Sequence, residues 1–443
     1  MSDLAKYETD TPQEAYYGLP KKVAFCRTCV ISNQRPNSTI EQKHTRETKK
    51  EVIAFKDGIC DACLTKDWKT GINWDEREKE LEALLAPHRS NGERYDVLIP
   101  GSGGKDSFMQ AHLLKYKYGM TPLTVTWAPH IYTDWGWKNF QAWIHAGFDN
   151  VLVTPNGRVH RLLTRLSTDR LLHPFQPFII GQRHLAAKMA AKYDIKLIFY
   201  GESGAEYGNS SAHNNSSRRD MQEFEYFTMS DDSDVYLGGT SFKELKQDFG
   251  FKAQDFEPYL PIDPQLCDDK GIEVHWLGHY VKWHPQSAYY YAVEHGGFQA
   301  APERTLGTYS KYNSIDDKMD DLHYYTTFIK FGIGRATYDA SQEIRSGDID
   351  RDEGVALVRK FDGEYPARFE KELFEYLSIR ESEFGKQISS KFQQPVMTRE
   401  YFDKLCDDFR SPHLWKRENG QWKLRHSVSV SYTHLTLPTN REV

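Results

Sequence analysis

The sequence contains no run of about 18 apolar residues that would span a bilayer. Its first residues, Met1 to Lys6, lack the apolar core of a signal peptide, and the net charge is −6. These absences argue against a membrane span, against secretion and against broad binding to nucleic-acid phosphates. We therefore expect a cytoplasmic protein. With 443 residues, 39% of them hydrophobic, the chain is expected to form roughly two or three globular domains.

Cysteine is scarce, and four of the six cysteines form two pairs with two residues between their members. The pairs are Cys26 with Cys29 and Cys60 with Cys63. In a cytosolic protein such pairs favour a metal site over disulfides, and together they complete a tetrahedral shell for structural zinc. A redox dithiol and an iron–sulfur cluster are the alternatives. Cys267 and Cys406 stand alone and are expected to be buried core thiols.

The most informative segment is the glycine-rich turn Ser102-Gly103-Gly104-Lys105-Asp106-Ser107. The apolar residues before it predict a buried strand over 96–100, and residues 108–118 predict a helix. A strand, a glycine turn and a helix in this order direct backbone N–H groups at an anion. Three glycines are expected to take positive φ so that a phosphate approaches the main chain: Gly101, Gly103 and Gly104. Ser107 is expected to cap the helix, and Lys105 adds positive charge.

The spacing differs from the Walker A and dinucleotide-binding motifs. It matches the Ser-Gly-Gly-x-Asp-Ser signature of the PP-loop ATP pyrophosphatases, a superfamily that this chain therefore resembles. Members cleave ATP between the α and β phosphates and transfer AMP to a carbonyl or amide oxygen. An ordinary glycine turn is the alternative interpretation.

Strand and helix patterns alternate from residue 95 to residue 200, which predicts an α/β fold with a doubly wound, mostly parallel sheet. The resemblance implies the PP-loop type of this fold, also called adenine nucleotide α-hydrolase-like. Four regions are predicted: an N-terminal segment with a zinc ribbon at 1–75, a PP-loop ATP pyrophosphatase domain at 76–255, a helical, aromatic-rich substrate or partner region at 256–426, and a non-native tail at 427–443.

Two kinds of superfamily member fit poorly. A built-in glutaminase would need a nucleophilic cysteine, but position 2 is Ser2, and neither Cys267 nor Cys406 lies on a glycine-flanked elbow. Thiolating tRNA enzymes generally place reactive cysteines near the nucleotide, but no cysteine occurs between Cys63 and Cys267. A tRNA-modifying enzyme remains an alternative.

The arrangement as a whole resembles the bacterial N-acetyl sugar amidotransferases of surface-glycan synthesis, over roughly residues 20–390. The motifs that carry this resemblance are Cys-Arg-Thr-Cys-Val-Ile-Ser (26–32), Pro-Gly-Ser-Gly-Gly-Lys-Asp-Ser (100–107), Phe-Ile-Ile-Gly-Gln-Arg (178–183), Gly-Glu-Ser-Gly-Ala-Glu-Tyr-Gly (201–208), Gly-Thr-Tyr-Ser-Lys-Tyr (307–312) and Tyr-Thr-Thr-Phe-Ile-Lys-Phe-Gly-Ile-Gly-Arg-Ala-Thr (325–337).

The resemblance implies an enzyme that uses ATP and ammonia to convert an acetamido group to an acetamidino group. The expected substrate is a nucleotide-linked sugar such as a UDP-2,3-diacetamido uronic acid in O-antigen synthesis. A pseudaminic or legionaminic type of nonulosonic acid is the alternative. Ammonia is expected from a separate glutaminase with a cyclase-like subunit, of the kind found in imidazole glycerol phosphate synthase. The implied cofactors are ATP, Mg²⁺ and structural Zn²⁺.

The resemblance also suggests roles for individual residues. Residues 102–107 are expected to cradle the leaving pyrophosphate, with Asp106 either a Mg²⁺ ligand or a helix cap. Thr126 and Trp127 end a predicted strand where relatives hold adenine, although a core tryptophan is equally plausible.

Three charged residues farther along the chain complete the expected site. Glu202 either binds metal, orients the substrate amide or is a solvated loop carboxylate. Lys330 and Arg335 are expected to reach the phosphates, a sugar carboxylate or a nucleotide diphosphate, with a surface ion pair as the alternative.

Overall fold

The computed structural model describes residues 4–11, 14–37, 41–42, 46–47, 50–201, 217 and 235–430. In these ranges the strands are β1 (Phe55–Lys56), β2 (Ile59–Cys60), β3 (Val97–Pro100), β4 (Pro122–Trp127), β5 (Asp149–Val153), β6 (Leu197–Tyr200), β7 (Tyr236–Leu237), β8 (Thr240–Ser241), β9 (Glu273–Trp276), β10 (Trp415–Glu418) and β11 (Gln421–Leu424). Five of them form a parallel sheet in the order β5-β4-β3-β6-β9.

Helices separate these strands along the chain. In the same ranges they are α1 (Ala5–Glu8), α2 (Asp61–Lys69), α3 (Trp74–Leu85), α4 (Lys105–His112), α5 (Asp134–His145), α6 (Gly157–Leu171), α7 (Gln176–Tyr193), α8 (Phe242–Phe249), α9 (Ala253–Phe256), α10 (Pro264–Lys270), α11 (Leu277–Tyr280), α12 (Pro285–Gly296), α13 (Met319–Phe331), α14 (Arg335–Ser346), α15 (Arg351–Phe361), α16 (Glu370–Leu377), α17 (Glu381–Phe384), α18 (Lys386–Ser389) and α19 (Arg399–Phe409). A π-helical turn, Leu113–Lys117, extends α4.

The sheet is buried on both faces. On β3, Val97 and Ile99 belong to a core cluster with residues of α3, α4 and α5, whereas Leu98 belongs to a second cluster with residues of α6 and α7. Because neighbouring strand residues face opposite sides, a strand covered on both faces has a continuous apolar sequence. The predicted doubly wound α/β fold is therefore confirmed.

The last strand of the sheet was not predicted. β9 pairs with β6 and comes from residues 273–276, beyond the boundary expected at 255. The boundaries of the four regions stay predictions, but the central sheet extends past residue 255. Within the described residues, no helix has both the length and the apolar character needed to cross a membrane.

The cysteine-rich N-terminal region shares its core with the C-terminal helices. Cys26, Cys29, Cys60 and Cys63 belong to one buried cluster with residues of α13, α14, α15 and α19. Arg351 of α15 donates from Nε to the carbonyl oxygen of Cys29 at 3.2 Å, and the hydroxyl of Tyr17 donates to the carbonyl oxygen of Phe409 at 2.9 Å. The two ends of the chain therefore form one packed layer.

The end of the described chain also packs against this layer. Val428 is buried, and its carbonyl oxygen accepts from Arg359 Nε at 3.0 Å. Arg351 Nη1 donates to the carbonyl oxygen of Ser429 at 2.8 Å. The non-native tail predicted from residue 427 lies beyond the described residues from 431 onward, and its origin stays a prediction.

Candidate functional site

The glycine-rich turn lies at the carboxyl end of β3, where ligands bind to open parallel sheets. Gly103 has φ +85°, and a Cβ placed there would lie 2.8 Å from the Cα of Phe140 on α5. Only glycine fits such a position, because the backbone of a packed helix is not free to move away. Of the three glycines expected at positive φ, Gly103 alone adopts it, and Gly104 is the N-cap of α4 with φ −66°.

Ser107 has a different role from the one predicted. It is the third residue of α4, and its Oγ donates to the carbonyl oxygen of Gly104 at 3.0 Å. A Cβ on Gly101 would lie 2.3 Å from the Cβ of Ser107. The expectation of a capping hydroxyl was therefore wrong, because the helix begins earlier than predicted. Ser107 instead ties the turn closed.

Substituting Gly103 tests this geometry. An alanine at positive φ costs about 1 kcal/mol on its own, and the contact with Phe140 is expected to add about 1–3 kcal/mol of overpacking. Gly119→Ala is the matched control, since Gly119 also has positive φ (+67°) but open space around it. We expect Gly103→Ala to lower the urea midpoint clearly more than Gly119→Ala. Equal midpoints in the two variants would contradict the close approach.

A cavity of about 290 Å³ opens beside the turn, and we call it the loop cavity. Residues from three parts of the chain line it: Ser102, Gly103, Gly104, Lys105 and Asp106 of the turn; Asn139, Phe175, Phe178 and Gln182 of the sheet domain; and Asn313, Ser314, Ile315, Asp316, Asp317, Asp320 and Arg335 of the C-terminal region. The turn therefore faces residues far from it in sequence.

The C-terminal side of the loop cavity is acidic. Burial raises the pKa of Asp316, although a hydrogen bond with Ser102 opposes this rise. Burial also raises the pKa of Asp320 well above its ordinary value, and the negative charges of Asp316 and Asp317 raise it further. Asp317 is engaged in structure, because it accepts from the backbone N–H of His130 at 2.7 Å and from that of Met319 at 3.0 Å. Asp316 and Asp320 remain as carboxylates on the cavity wall.

Lys105 and Asp106 form an ion pair at the rim of this cavity. Lys105 Nζ lies 2.6 Å from Asp106 Oδ1 and 2.7 Å from Oδ2. The lysine side chain is 8% exposed and that of Asp106 is 36% exposed. A bound anion would therefore meet an ammonium group that is already positioned.

Arg335 faces the turn from the start of α14. Its Nε lies 3.0 Å from Asp339 Oδ1, and its Nη1 donates to the hydroxyl of Tyr324. Burial acts to lower the pKa of Arg335, but Asp339, Tyr324 and Asp320 raise it above the ordinary value. The guanidinium group therefore stays charged at every physiological pH.

The start of α14 is fixed by the half-buried carboxylate of Asp362. Asp362 accepts from the backbone N–H of Gly334 at 3.0 Å and from that of Thr337 at 3.1 Å. Residues 324–342 have the sequence pattern of a single helix, but the structure divides them, because Gly332, at φ +67°, ends α13 and Gly334 caps α14. This break places Arg335 in the first turn of a new helix, beside the loop cavity.

Thr126 and Trp127 do not line the loop cavity. Thr126 Oγ1 accepts from Asn150 Nδ2 at 3.0 Å, and Trp127 lies in the core, where its ring packs on Gly181. The contacts of Trp127 correspond to the alternative of a core tryptophan. Glu202 and Glu206 lie outside the described residues.

Lys330 lies in a different place from Arg335. It is buried, and its Nζ donates to Glu41 at 2.8 and 3.0 Å and to the carbonyl oxygen of Leu171 at 2.6 Å. Burial lowers the pKa of Lys330 to about 7, against the opposing effect of Glu41. The structure does not bring Lys330 to the turn, and its contacts are those of a buried ion pair.

Removing Glu41 is expected to destabilise the protein through Lys330. Breaking a buried pair costs about 3 kcal/mol when the remaining charge stays buried. Because Glu41 raises the pKa of Lys330, the lysine of Glu41→Gln loses its proton at a lower pH than that of the wild type. The difference in free energy of unfolding between the wild type and Glu41→Gln should therefore be largest in acid. It should become smaller as the pH rises to about 7. Urea denaturation at several pH values measures it.

Glu51→Gln is the matched control for this prediction. Glu51 is exposed and accepts from Asn37 Nδ2 at 2.7 Å. We expect its loss to change the free energy of unfolding by less than about 0.5 kcal/mol at every pH. If Glu41→Gln loses no more free energy of unfolding than Glu51→Gln, or if its loss does not change with pH, the buried ion pair is contradicted.

The four paired cysteines form one cluster. Their sulfur atoms all lie within 4.8 Å of one another, with 3.8 Å between Cys26 and Cys63 and 3.7 Å between Cys29 and Cys60. These distances exceed a disulfide bond and are close to the edge of about 3.8 Å that four sulfurs make around zinc. The cluster therefore has the donors and the shape of a tetrahedral metal site.

The local fold explains why these cysteines meet. β1 and β2 form a hairpin through Asp57 and Gly58, both at positive φ, and the Arg27 N–H donates to the carbonyl oxygen of Gly58 at 2.9 Å. The backbone N–H groups of Cys29 and Cys60 point at Cys26 Sγ, at 3.5 and 3.3 Å. Hydrogen bonds from neighbouring thiols lower the pKa of Cys26 well below its ordinary value, as a thiolate ligand requires.

Sequence reasoning identified Arg335 but missed the other C-terminal residues of the loop cavity. Asp316, Asp317, Asp320 and Asp321 form two acidic pairs immediately before and within the first turn of α13. Two such pairs at the start of an aromatic helix were an available signal for a site. No comparable signal linked Asn313 to the turn, because their contact is made only by the fold.

Comparisons with known proteins match parts of this chain. A protein called "Uncharacterized protein MJ1599" from Methanocaldococcus jannaschii is 38% identical over 82 residues, which are 18% of this chain and 29% of that relative. The chain thus spans less than a third of the length of this curated relative.

Two solved structures show weak similarity. The NH3-dependent NAD synthetase of Campylobacter jejuni, in complex with the nitrate ion, is 12% identical over 45% of this chain and 92% of its own, with a TM-score of 0.25. The NMN synthetase of Francisella tularensis is 11% identical over 62% of this chain and 94% of its own, with a TM-score of 0.23. TM-scores this low carry no argument, so the fold assignment rests on the sheet itself.

The C-terminal region gives the most specific match. Residues 306–428 match the family described as "LPS biosynthesis protein WbpG-like, C-terminal domain". This segment contains α13, α14 and the acidic and arginine residues that face the turn. Residues 306–428 are therefore similar to the C-terminal domain of WbpG-like LPS biosynthesis proteins.

Proposed function

We propose that this protein is an ATP-dependent amidotransferase that converts an acetamido group of a nucleotide-linked N-acetyl sugar to an acetamidino group during synthesis of a bacterial surface polysaccharide. One observation carries the proposal. Residues 102–106 of the glycine-rich turn and Arg335 of the WbpG-like segment line the same cavity. A turn with the PP-loop signature and a segment similar to LPS biosynthesis proteins on one cavity support a reaction of ATP with a sugar there.

The chemistry must activate an amide carbonyl, which is a poor electrophile because its nitrogen donates electrons into it. The amide oxygen attacks the α-phosphorus of ATP and pyrophosphate leaves, so an O-adenylyl imidate forms. Ammonia then adds to the imidate carbon and transfers a proton away. AMP departs with the former amide oxygen, and an amidine remains.

The turn supplies groups that stabilise the leaving pyrophosphate. Four residues of the turn lie on the wall of the loop cavity: Ser102, Gly103, Gly104 and Lys105. Their backbone N–H groups, the Ser102 hydroxyl and the Lys105 ammonium would act as the donors. Fixed donors of this kind stabilise developing negative charge without the cost of reorganising solvent.

The loop cavity also fits a magnesium ion. Asp106, Asp316 and Asp320 line it, and Mg²⁺ prefers carboxylate oxygens together with water and phosphate. Burial and mutual repulsion raise the pKa of Asp320, and a bound cation would favour its ionised form. Mg²⁺ would neutralise charge on the phosphates.

Two further components belong to this proposal. The cysteine cluster holds a structural Zn²⁺, because its four sulfurs have the spacing of a tetrahedral shell. Ammonia comes from a separate glutaminase that works with a cyclase-like subunit. The proposed site of action is the cytoplasm, where ATP and nucleotide sugars are made.

The test is release of AMP and pyrophosphate from ATP with Mg²⁺, excess ammonium and UDP-2,3-diacetamido-mannuronic acid. We expect AMP formation that depends on the sugar, with a product lighter by the difference between O and NH. A substrate labelled with ¹⁸O in the amide should pass the label to AMP. No turnover with this sugar or with a nonulosonic acid, using zinc-loaded protein, would reject the proposal.

A further inference from the structure

A second cavity of about 360 Å³ lies next to the loop cavity. Residues from both ends of the chain line it, among them Ile31, Arg35, Cys60, Tyr324, Tyr338 and Arg345. The two cavities share four lining residues: Lys105, Asp106, Asn313 and Arg335. A group bound at this junction would lie beside the turn, which is where an acceptor amide must stand to attack the α-phosphorus of ATP.

Asn313 is the neutral residue among these four. Lys105 pairs with Asp106 at 2.6 Å, and Arg335 pairs with Asp339 at 3.0 Å. Charged groups of this kind suit phosphates and cations. An acetamido group is neutral and carries one N–H donor and one carbonyl acceptor, so its recognition calls for a neutral hydrogen-bonding partner. Asn313 brings such a partner to the junction.

The backbone of Asn313 is fixed on both sides. Its N–H donates to Ser310 Oγ at 3.2 Å, and its carbonyl oxygen accepts from Thr305 Oγ1 at 3.0 Å. Both of these hydroxyl residues are buried. Ser310 belongs to the Gly-Thr-Tyr-Ser-Lys-Tyr motif at 307–312, so this motif positions the residue that follows it.

The side-chain amide of Asn313 is oriented by Asp339. Asn313 Nδ2 donates to Asp339 Oδ1 at 3.2 Å, and Thr308 Oγ1 donates to Oδ2 of the same carboxylate at 2.6 Å. Asp339 is buried and lies beside the charged Arg335. An ionised carboxylate only accepts hydrogen bonds, so the amide must turn its nitrogen toward Asp339. Asn313 Oδ1 is thereby directed away from the carboxylate.

Asn313 Oδ1 is the atom that remains for a ligand. Among the residues that the structure describes, no donor forms a hydrogen bond with Oδ1, whereas the backbone N–H, the backbone carbonyl oxygen and Nδ2 all have partners. Asn313 is half-buried and lines both cavities. An acceptor that is already fixed in place binds an incoming donor without the cost of ordering its own side chain.

We propose that Asn313 binds the reacting acetamido group of the sugar, with Oδ1 accepting the hydrogen bond from the amide N–H. The inference rests on the proposed function and deepens it by naming the residue that recognises the reacting amide. This hydrogen bond uses only the N–H of the acetamido group. The amide oxygen therefore stays free to attack the α-phosphorus.

The same hydrogen bond becomes stronger during the reaction. As the amide oxygen bonds to the α-phosphorus and the bond to pyrophosphate breaks, positive charge develops on the amide nitrogen, and its N–H becomes a better donor. Ammonia then adds to the imidate carbon and loses one of its own protons, and the C–O bond to AMP breaks. The amide N–H proton stays on its nitrogen in both steps, so Asn313 stabilises the positive charge in each of them.

The experiment compares sugars that differ in this N–H. The ligands are UDP-2,3-diacetamido-mannuronic acid and its two analogues with an acetoxy group at carbon 2 or at carbon 3, in which oxygen replaces the N–H. Calorimetry measures their binding to the full chain with its metal, in the presence of α,β-methylene-ATP. Mass spectrometry of the product formed from the unmodified sugar identifies which acetamido group reacts.

Asn313→Leu removes the acceptor and fills its space, and Asn313→Ala removes it without added bulk. Asn150→Leu is the matched control. Asn150 is also half-buried, its Nδ2 donates to Thr124 Oγ1 at 2.9 Å and to Thr126 Oγ1 at 3.0 Å, and it is not among the residues that line the two cavities. We expect its ligand binding and AMP release to stay within about twofold of the wild type.

We expect the wild type to bind the analogue without the reacting N–H about tenfold more weakly than the sugar, because a hydrogen bond is lost and two acceptor oxygens face each other. Both Asn313 variants should bind these two ligands within about twofold of each other. Their sugar-dependent AMP release should fall by about 10²-fold, more than their sugar binding, because the hydrogen bond is strongest in the transition state. Binding of α,β-methylene-ATP should not change.

Three results would count against the inference. If both variants distinguish the sugar from the analogue as the wild type does, Oδ1 does not accept the N–H. If both lose the sugar and α,β-methylene-ATP together, Asn313 supports the fold of the junction instead. In these two cases the proposed function stands, provided that the wild type forms AMP with the sugar. If the wild type forms no AMP with either class of sugar, the proposed function fails, and this inference fails with it.

Discussion

Replacing Lys105 with methionine is expected to lower the rate of sugar-dependent AMP release by about 10²–10³-fold, the usual effect of removing one fixed group that stabilises charge in a transition state. Lys105 is buried at the rim of the loop cavity, with its ammonium held by Asp106 at 2.6 and 2.7 Å. Methionine keeps the unbranched shape and the helix propensity of the side chain, and it removes the ammonium group with its charge and its N–H donors. Single-turnover AMP release measures the effect.

Lys117→Met is the matched control for Lys105→Met. Lys117 follows α4 in the same segment, and its exposed ammonium pairs with Glu78 at 2.7 Å, away from both cavities. We expect full activity in this variant. If Lys105→Met releases AMP at the wild-type rate, Lys105 of the turn does not stabilise the leaving pyrophosphate. If it loses binding of α,β-methylene-ATP and thermal stability together, the lysine serves folding rather than chemistry.

The central fold was predictable because its signals are local. The strand predicted to end at Thr126 and Trp127 is β4, Pro122–Trp127. Buried parallel strands need continuous apolar residues, and the intervening helices need an apolar stripe, so each pattern identifies its element. β9 was missed because Glu273, Val274, His275 and Trp276 are too few and too polar to stand out. This strand forms because the free edge of β6 is available to it.

The candidate site was predictable only in part, for a related reason. Residues 102–107 are contiguous, so their motif identified the turn without any knowledge of the fold. Arg35 and Arg345 are some 310 residues apart, and only the packing of the N-terminal region on α14 makes them face one cavity. Lys330 and Arg335 are neighbours in sequence, but the break at Gly332 sends them to different places. Proximity along the chain was therefore misleading there.

Replacing Cys60 with serine is expected to remove the metal and to unfold the cysteine-rich region. The hydroxyl of serine is a poor ligand for zinc, and structural zinc supplies about 10–16 kcal/mol of folding free energy in small zinc-binding peptides. We expect the zinc content, measured by mass spectrometry, to fall from one ion per chain to near zero. Limited proteolysis should then cleave the chain within residues 21–75. Cys267→Ser is the control, since Cys267 is buried in a different core cluster and should leave the zinc in place.

The alternatives for the cluster give different results in this experiment. Iron in the wild-type protein would indicate an iron–sulfur cluster, and wild-type protein without metal but with a disulfide would indicate a redox pair. If Cys60→Ser loses zinc yet keeps its resistance to protease, the metal does not support the fold of the cysteine-rich region. The shared core of the cysteines and the C-terminal helices argues against that outcome, because unfolding the N-terminal region would expose apolar surface on α13, α14 and α15.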